Sequence, residues 1–266
     1  MAFPRPSRRR ILLSAVLLAS ACTGAVHAQD VLADVQKNKT IRIAVPADYP
    51  PYGSVASDMS LQGLDIDMAR LVAARLGVKV ELIPVTSANR IPYLQSHKAD
   101  LVISSLGKYP ERAKVIDFSS SYAPYYSGVF AAKSLQVKTF ADLAGKSVAA
   151  TRGAMPDQEL ARQAPPTVEI RRFEDNNATV AAFVAGQVQA IATGLSTAVE
   201  VMEKNPGLNA EFKLLLAETP NRIGIAKGED ALRQKVNDIV AEAKASGALE
   251  KMSQKWLHRP AGDLPL

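Results

Sequence analysis

Short apolar runs rich in β-branched residues recur along the first half of the chain, at 41–45 (IRIAV), 78–85 (VKVELIPV) and 100–104 (DLVIS). Runs of this length, bounded by polar and turn residues, predict buried strands. Between them the apolar spacing changes to three and four. In 63–76, Leu64, Met68, Leu71, Val72 and Leu76 fall on one helical face, and Gly77 follows as a C-terminal cap. A shorter helix is expected over 90–97.

The same rhythm restarts after Tyr122. Strands are expected at 128–133, within 142–150, at 168–173 and at 189–193. Helices are expected at 156–163, 177–185 and 195–204, the last ended by Asn205-Pro206-Gly207. One more strand (222–228) precedes a long amphipathic helix over 229–246, with Leu232, Val236, Ile239 and Val240 on one face, and 247–257 closes the chain. Such alternation predicts an α/β protein with mostly parallel sheets. Two successive units followed by a late strand and helices suggest that the chain leaves one lobe, builds a second and returns. The expected division is 29–124 plus 221–266 for the first lobe and 125–220 for the second, with a ligand cleft between them.

Residues 1–28 read differently. Arg5, Arg8, Arg9 and Arg10 precede a short uncharged apolar run at 11–21, and Val26-His27-Ala28 offers a small-x-small cleavage site. This is the pattern of a secretory signal peptide, too short in its apolar part to span a membrane. The segment 7–13 also loosely resembles a twin-arginine export motif, and Cys22 follows a loose lipoprotein box. Cleavage after Ala28 and a periplasmic location are the favoured expectation.

Charge and cysteine content narrow the function. The net charge of +6 includes four arginines of the leader, which leaves +2 for residues 29–266. No dense Lys/Arg stripe with aromatics remains to suggest nucleic-acid binding. Cys22 is the sole cysteine, so the exported part has neither disulfides nor a thiol nucleophile. With His97 and His258 its only histidines, a zinc site is not expected, and no cofactor is implied.

Several segments, in order, resemble the extracellular solute-binding proteins that serve polar amino-acid ABC importers (family 3). They are PADYPPYG (46–53), QGLDIDMARLVAARLG (62–77), the long stretch 86–119 containing TSANRIP and KYPERAKVIDFS, DLAGKSVAATRGA (142–154) and GQVQAIATG (186–194). RIGIAKGEDALRQKVNDIV and a terminal KW complete the match. The TS-x-NRIP piece looks most like the glutamate/aspartate-binding branch. The resemblance implies the type II periplasmic-binding-protein fold: two α/β sandwich lobes, joined by two crossing strands, that close over a ligand. It implies a monomeric carrier whose partners are a small ligand and an inner-membrane ABC permease.

The resemblance also implies roles for particular residues. Arg112 matches the arginine that grips a ligand carboxylate, a task suited to a planar guanidinium fork. Ser105 and Gly107 match the loop that binds the same carboxylate. Tyr49 and Tyr52 match aromatic positions lining the cleft. Ser87 and Arg90 match residues that hold a side-chain carboxylate in the acidic branch. Thr151, Arg152 and Ala154 fall in the second lobe's ligand loop, with Arg152 facing either cleft or solvent. Asn176 matches a cleft-facing position.

The main departure is Gly194, where the family usually places an aspartate that binds the ligand ammonium. Asp48 and Asp175 are candidate substitutes; otherwise the ligand carries no α-ammonium. Asp65 and Asp67 are two apart on a helix and so do not form a facing pair. The expected ligand is a polar, acidic amino acid or a related carboxylate, and the chain is expected not to be an enzyme. Two alternatives share the scaffold. One is an exported dehydratase, for which Asp157 or Glu174 would be the general acid. The other is a sensor that presents ligand to a receptor.

Overall fold

The computed structural model describes residues 30–265, so the leader, the motif at 7–13 and Cys22 lie outside the described residues. The first elements are α1 (Val31–Asn38), β1 (Thr40–Val45), β2 (Asp48–Tyr49), β3 (Gly53–Val55), β4 (Leu61–Gln62), α2 (Leu64–Leu76), β5 (Lys79–Pro84) and α3 (Arg90–Gln95). β6 (Leu101–Gly107), α4 (Pro110–Ala113), β7 (Ile116–Ala123) and β8 (Tyr126–Ala132) lead into the second lobe. That lobe continues with β9 (Ser147–Thr151), α5 (Met155–Gln163), β10 (Glu169–Phe173), α6 (Asn176–Val184), β11 (Ala190–Gly194), α7 (Leu195–Lys204) and β12 (Ala210–Glu218). The return is β13 (Asn221–Ala226), α8 (Asp230–Ala245) and α9 (Ala248–Leu257).

Two five-stranded sheets result, ordered β5-β1-β6-β13-β7 and β10-β9-β11-β8-β12. They are mixed rather than mostly parallel. β1 runs parallel to β5 and β6, and β9 parallel to β10 and β11. β13 lies antiparallel to β6 and β7, and β8 antiparallel to β11 and β12. The antiparallel pairs are where the chain passes from one lobe to the other. It leaves along β7 into β8 and returns along β12 into β13.

Period-two alternation lets each sheet bury both faces. On β6, Leu101 and Ile103 pack with α2, α8 and α9, while Val102 and Leu106 pack with Leu94 of α3. On β9, Val148 and Ala150 face Leu160 of α5, while Ala149 faces Phe183 of α6 and Ala198 of α7. In α2, Ile66, Met68, Val72 and Leu76 are all buried, each contributing roughly 1.5–3 kcal/mol by leaving water.

Both ends of α2 depend on glycine. Gly77 adopts the left-handed conformation and its N–H closes onto Ala73 and Ala74 carbonyls. Gly63, at φ 137°, starts the helix, and a Cβ there would lie 2.3 Å from the Tyr52 carbonyl oxygen. That close approach fixes the loop carrying Tyr49 and Tyr52 over the start of the helix. Asp65 and Asp67 diverge as expected. Asp67 accepts from Lys255 and from the Trp256 indole N–H, whereas Asp65 points into the core. Among the described residues, no helix is long and apolar enough to cross a membrane.

Candidate functional site

The ends of β1, β6 and β9 bring three loops to one place, where the lobes touch. Arg90 opens α3 and lies almost wholly out of solvent. Its Nε donates to the Ser87 carbonyl (2.9 Å) and its Nη1 to the carbonyls of Ser104 (2.7 Å) and Ser105 (3.2 Å). Its Nη2 crosses the cleft to the Gly153 carbonyl at 3.1 Å. Arg112, in α4, is buried as well. It donates to the Gly107 carbonyl (3.1 Å) and, from Nη2, to the same Gly153 oxygen at 3.0 Å.

Two buried guanidiniums thus share one neutral carbonyl, and neither has a carboxylate among its hydrogen-bond partners. Burial, and then the charge of Arg90, pull the Arg112 guanidinium down to about 9; burial likewise lowers that of Arg90. The Asp65 carboxylate acts on Arg90 through its charge, but two cations buried together remain costly unless a further anion joins them. The Gly153 loop is itself held by an acid: Asp157 accepts the Gly153 N–H at 3.1 Å and pairs with Arg172 at 2.7 Å.

Ser105 sits at the bend of β6 with φ 43°. Its N–H and hydroxyl both donate to Asp65, at 2.7 and 3.0 Å, and Tyr122 donates to the other oxygen of that carboxylate at 2.7 Å. Burial outweighs these three hydrogen bonds and pushes the Asp65 carboxyl up to about 6. Gly107 permits the close approach of the lobes, because a Cβ there would meet Met155 Sδ at 2.1 Å.

From the opposite wall, Asn176 reaches Asp48. Its backbone N–H donates at 2.6 Å and its side-chain amide at 3.2 Å. Thr151 is buried behind it, donating to the Asn176 amide oxygen at 2.8 Å and so setting which end of the amide faces Asp48. A second clasp joins Tyr49 to Gly194. The Gly194 N–H donates to the Tyr49 hydroxyl at 3.0 Å, and that hydroxyl shares a 2.8 Å hydrogen bond with Tyr125. A third runs from the Thr197 hydroxyl to the Pro50 carbonyl at 2.7 Å.

Tyr49, Ser87, Arg90, Ser105, Ala154 and Asn176 all line the enclosed space, together with Asp48, Tyr125 and Met155. In this closed arrangement the space measures about 10 Å³, on the order of one water molecule. As it stands the space is too small for a metabolite. Tyr52 stands behind the lining, stacked on Tyr49 with ring centres 5.4 Å apart. Arg152 is on the outer surface, half exposed and paired with Glu174 at 2.8 Å. Asp175 caps α6 by accepting the Ala178 N–H. Of the carboxyls considered for a dehydratase, Asp157 is tied to Arg172 and Gly153, and Glu174 to Arg152. Sequence reasoning missed Tyr125, Met155 and the Gly153 carbonyl. The Pro-Tyr-Tyr at the lobe crossing is the one signal that could have drawn attention to Tyr125.

Comparison with known proteins agrees with this architecture. The L-cystine-binding protein TcyJ of Escherichia coli (strain K12) is 26% identical over 249 residues, covering 92% of each chain. ABC transporter arginine-binding protein 1 of the same strain is 30% identical over 251 residues, covering 92% of this chain and 98% of that one. Among solved structures, the solute receptor for L-cysteine of Neisseria gonorrhoeae superposes with a TM-score of 0.80 at 29% identity, covering 87% of this chain and 95% of the other. Residues 41–259 match the family described as bacterial extracellular solute-binding proteins, family 3. With a mixed α/β two-lobed fold, a cleft between the lobes and a family match over most of its length, the chain belongs to the bacterial extracellular solute-binding proteins, family 3.

Proposed function

We propose that the protein is the periplasmic capture component of an ABC importer, holding a small carboxylate-bearing metabolite of the amino-acid class between its lobes. The observation that carries this reading is the convergence of Arg90 and Arg112 on the Gly153 carbonyl. The ligand's carboxylate would take the place of that oxygen and neutralise what the carbonyl leaves charged. Two guanidiniums can meet two anionic groups, so an acidic ligand is the finer reading. It rests on these two side chains, since the named relatives bind cystine and arginine. The ligand-binding set is Arg112, Arg90, Ser87, Tyr49, Ala154 and Asn176, with Thr151 positioning Asn176 and Ser105 and Gly107 shaping the loop.

Binding is a domain closure about the β7–β8 and β12–β13 connections, and the protein works as a monomer that delivers its ligand to the membrane permease. The test is a thermal-shift screen of purified protein, unfolded and refolded to strip any bound metabolite, against the amino acids, dicarboxylic acids and oxo acids. A ligand present at about 100 times its Kd stabilises by about 2.7 kcal/mol, a shift of several degrees. No response from any carboxylate would overturn the reading.

A further inference from the structure

The lining of the enclosed space carries one charged side chain of each sign, the Arg90 guanidinium and the Asp48 carboxylate. Asp48 follows β1 and Arg90 follows β5, neighbouring strands of one sheet. Arg112 stands outside the lining and shares the Gly153 carbonyl with Arg90. The opposite wall brings no charge, since Ala154, Met155 and Asn176 are what it adds to the lining.

Each of the two charges is met by a neutral group from that opposite wall, and the two groups differ in polarity. The Gly153 carbonyl accepts from Arg90. The backbone N–H and the side-chain amide of Asn176 donate to Asp48, at 2.6 and 3.2 Å. All three hydrogen bonds that reach the Asp48 carboxylate come from Asn176, so its charge is solvated by dipoles but not cancelled. An oxygen acceptor thus sits where a carboxylate would meet Arg90, and nitrogen donors sit where an ammonium would meet Asp48. An ammonium offers the same kind of donor and adds an opposite charge, a gain that grows where water is excluded.

The other acids near the cleft are committed elsewhere. Asp65 is turned to Ser105 and Tyr122. Asp157 holds the Gly153 N–H and Arg172, and Asp175 caps α6. Position 194 has no room for an acid, because a Cβ there would stand 2.5 Å from the Tyr49 hydroxyl oxygen and 3.2 Å from the Tyr125 ring.

We propose that Asp48 is the ammonium anchor of the cleft. It takes the α-ammonium of an amino acid where Asn176 now donates, while Arg90 takes the carboxylate where Gly153 now accepts. Both charged ends of the ligand are then held by one wall, and the preference for amino acids over ammonium-free acids resides in Asp48. This inference rests on the proposed function, because it describes the ligand of the same cleft.

The experiment is calorimetric titration of stripped wild type and Asp48→Asn with amino acids and the ammonium-free acids of the same skeleton. The pairs are glutamate and glutarate, aspartate and succinate, glutamine and glutaramate, arginine and guanidinovalerate, and cystine and dithiodipropionate. Competition against the amino acid sets the affinity of an acid too weak to titrate directly. The thermal-shift screen extends the comparison to the remaining amino acids and their deaminated acids. In the wild type, a responding amino acid should bind at least tenfold more tightly than its partner. In Asp48→Asn that preference should shrink to threefold or less, with the affinity of the ammonium-free acid within threefold of its wild-type value. An unchanged preference, or equal losses for both members of a pair, overturns the anchor and leaves the transport reading standing. A wild type that prefers the ammonium-free acid does the same. Silence from every acid overturns both. Asp48→Ser carries the same comparison should Asp48→Asn fail to fold.

Discussion

The carboxylate of Asp65 accepts both protons that Ser105 can donate, its backbone N–H at 2.7 Å and its hydroxyl at 3.0 Å. A buried acid in α2 thereby fixes the bend of β6 on which the arginine-bearing loops rest. Burial holds this carboxyl up to about 6, against an ordinary value of 3.8. Between about pH 4 and 6 the folded chain keeps a proton that the unfolded chain has released. Its contribution to stability is therefore fully present below pH 4 and is lost as pH rises through 6, by up to about 3 kcal/mol. Urea unfolding of the wild type and Asp65→Asn from pH 4 to 7 measures it. The stability difference between the two should change by that order in that window, and a constant difference would refute the assignment.

Arg112→Ala should weaken binding of the preferred ligand at least 100-fold, about 3 kcal/mol, because Arg90 alone then faces the anion and the Gly107 carbonyl loses its donor. Arg112→Lys should recover only part of the loss, since an ammonium cannot bridge Gly107 and the ligand as a fork does. Titration calorimetry reads both variants. Affinity within threefold of wild type in Arg112→Ala would remove that residue from the site.

The Asp48–Asn176 contact holds the lobes together from outside the arginine pair. Asp48→Ala should shift the free protein toward an open form, seen as a larger radius of gyration in small-angle scattering. Ligand dissociation in stopped flow should accelerate by about tenfold, or about 1.4 kcal/mol. Unchanged scattering and an unchanged off-rate would show that the contact does not govern closure.

Arg152→Ala makes a contrasting control. Its guanidinium is on the surface with Glu174, and exposed pairs of this kind contribute about 0–1 kcal/mol. Ligand affinity should stay within twofold of wild type, and stability within about 0.5 kcal/mol. A tenfold loss of affinity would place Arg152 in the cleft after all.

Much of this arrangement was legible in the chain. The periodicity of 63–76 and the glycine after it mark α2 and its left-handed cap, and α7 runs from Leu195 to Lys204 as its pattern predicts. β7 and β12 are less visible. β7 is interrupted by Ser119, Ser120 and Ser121; the Ser119 hydroxyl donates to the neighbouring Ser120 carbonyl and accepts the Ile223 N–H, and the Ser121 hydroxyl reaches the distant Pro265 carbonyl. β12 carries an exposed Phe212 and Leu215 that blur its alternation. Within the site, side chains announce themselves by type, so Arg90 and Arg112 could be singled out. The Gly153 carbonyl could not, because every residue has one and only the fold decides which faces a guanidinium. Gly194 could be noticed as a departure, but its meaning depends on Tyr125, sixty-nine positions away and brought alongside by the β8–β11 pairing.

If the cleft binds its ligand as proposed, the shared carbonyl of Gly153 makes capture an exchange rather than an occupation. In the closed chain the arginines already have a tenant, tethered to Asp157 by its own N–H and present at the high effective concentration of an intramolecular group. Any measured affinity is then a difference between two occupants. On that reading the difference works in both directions: it sets a threshold that weak anions do not pass, and it gives the emptied arginines somewhere to go, so that release would not leave two bare cations behind.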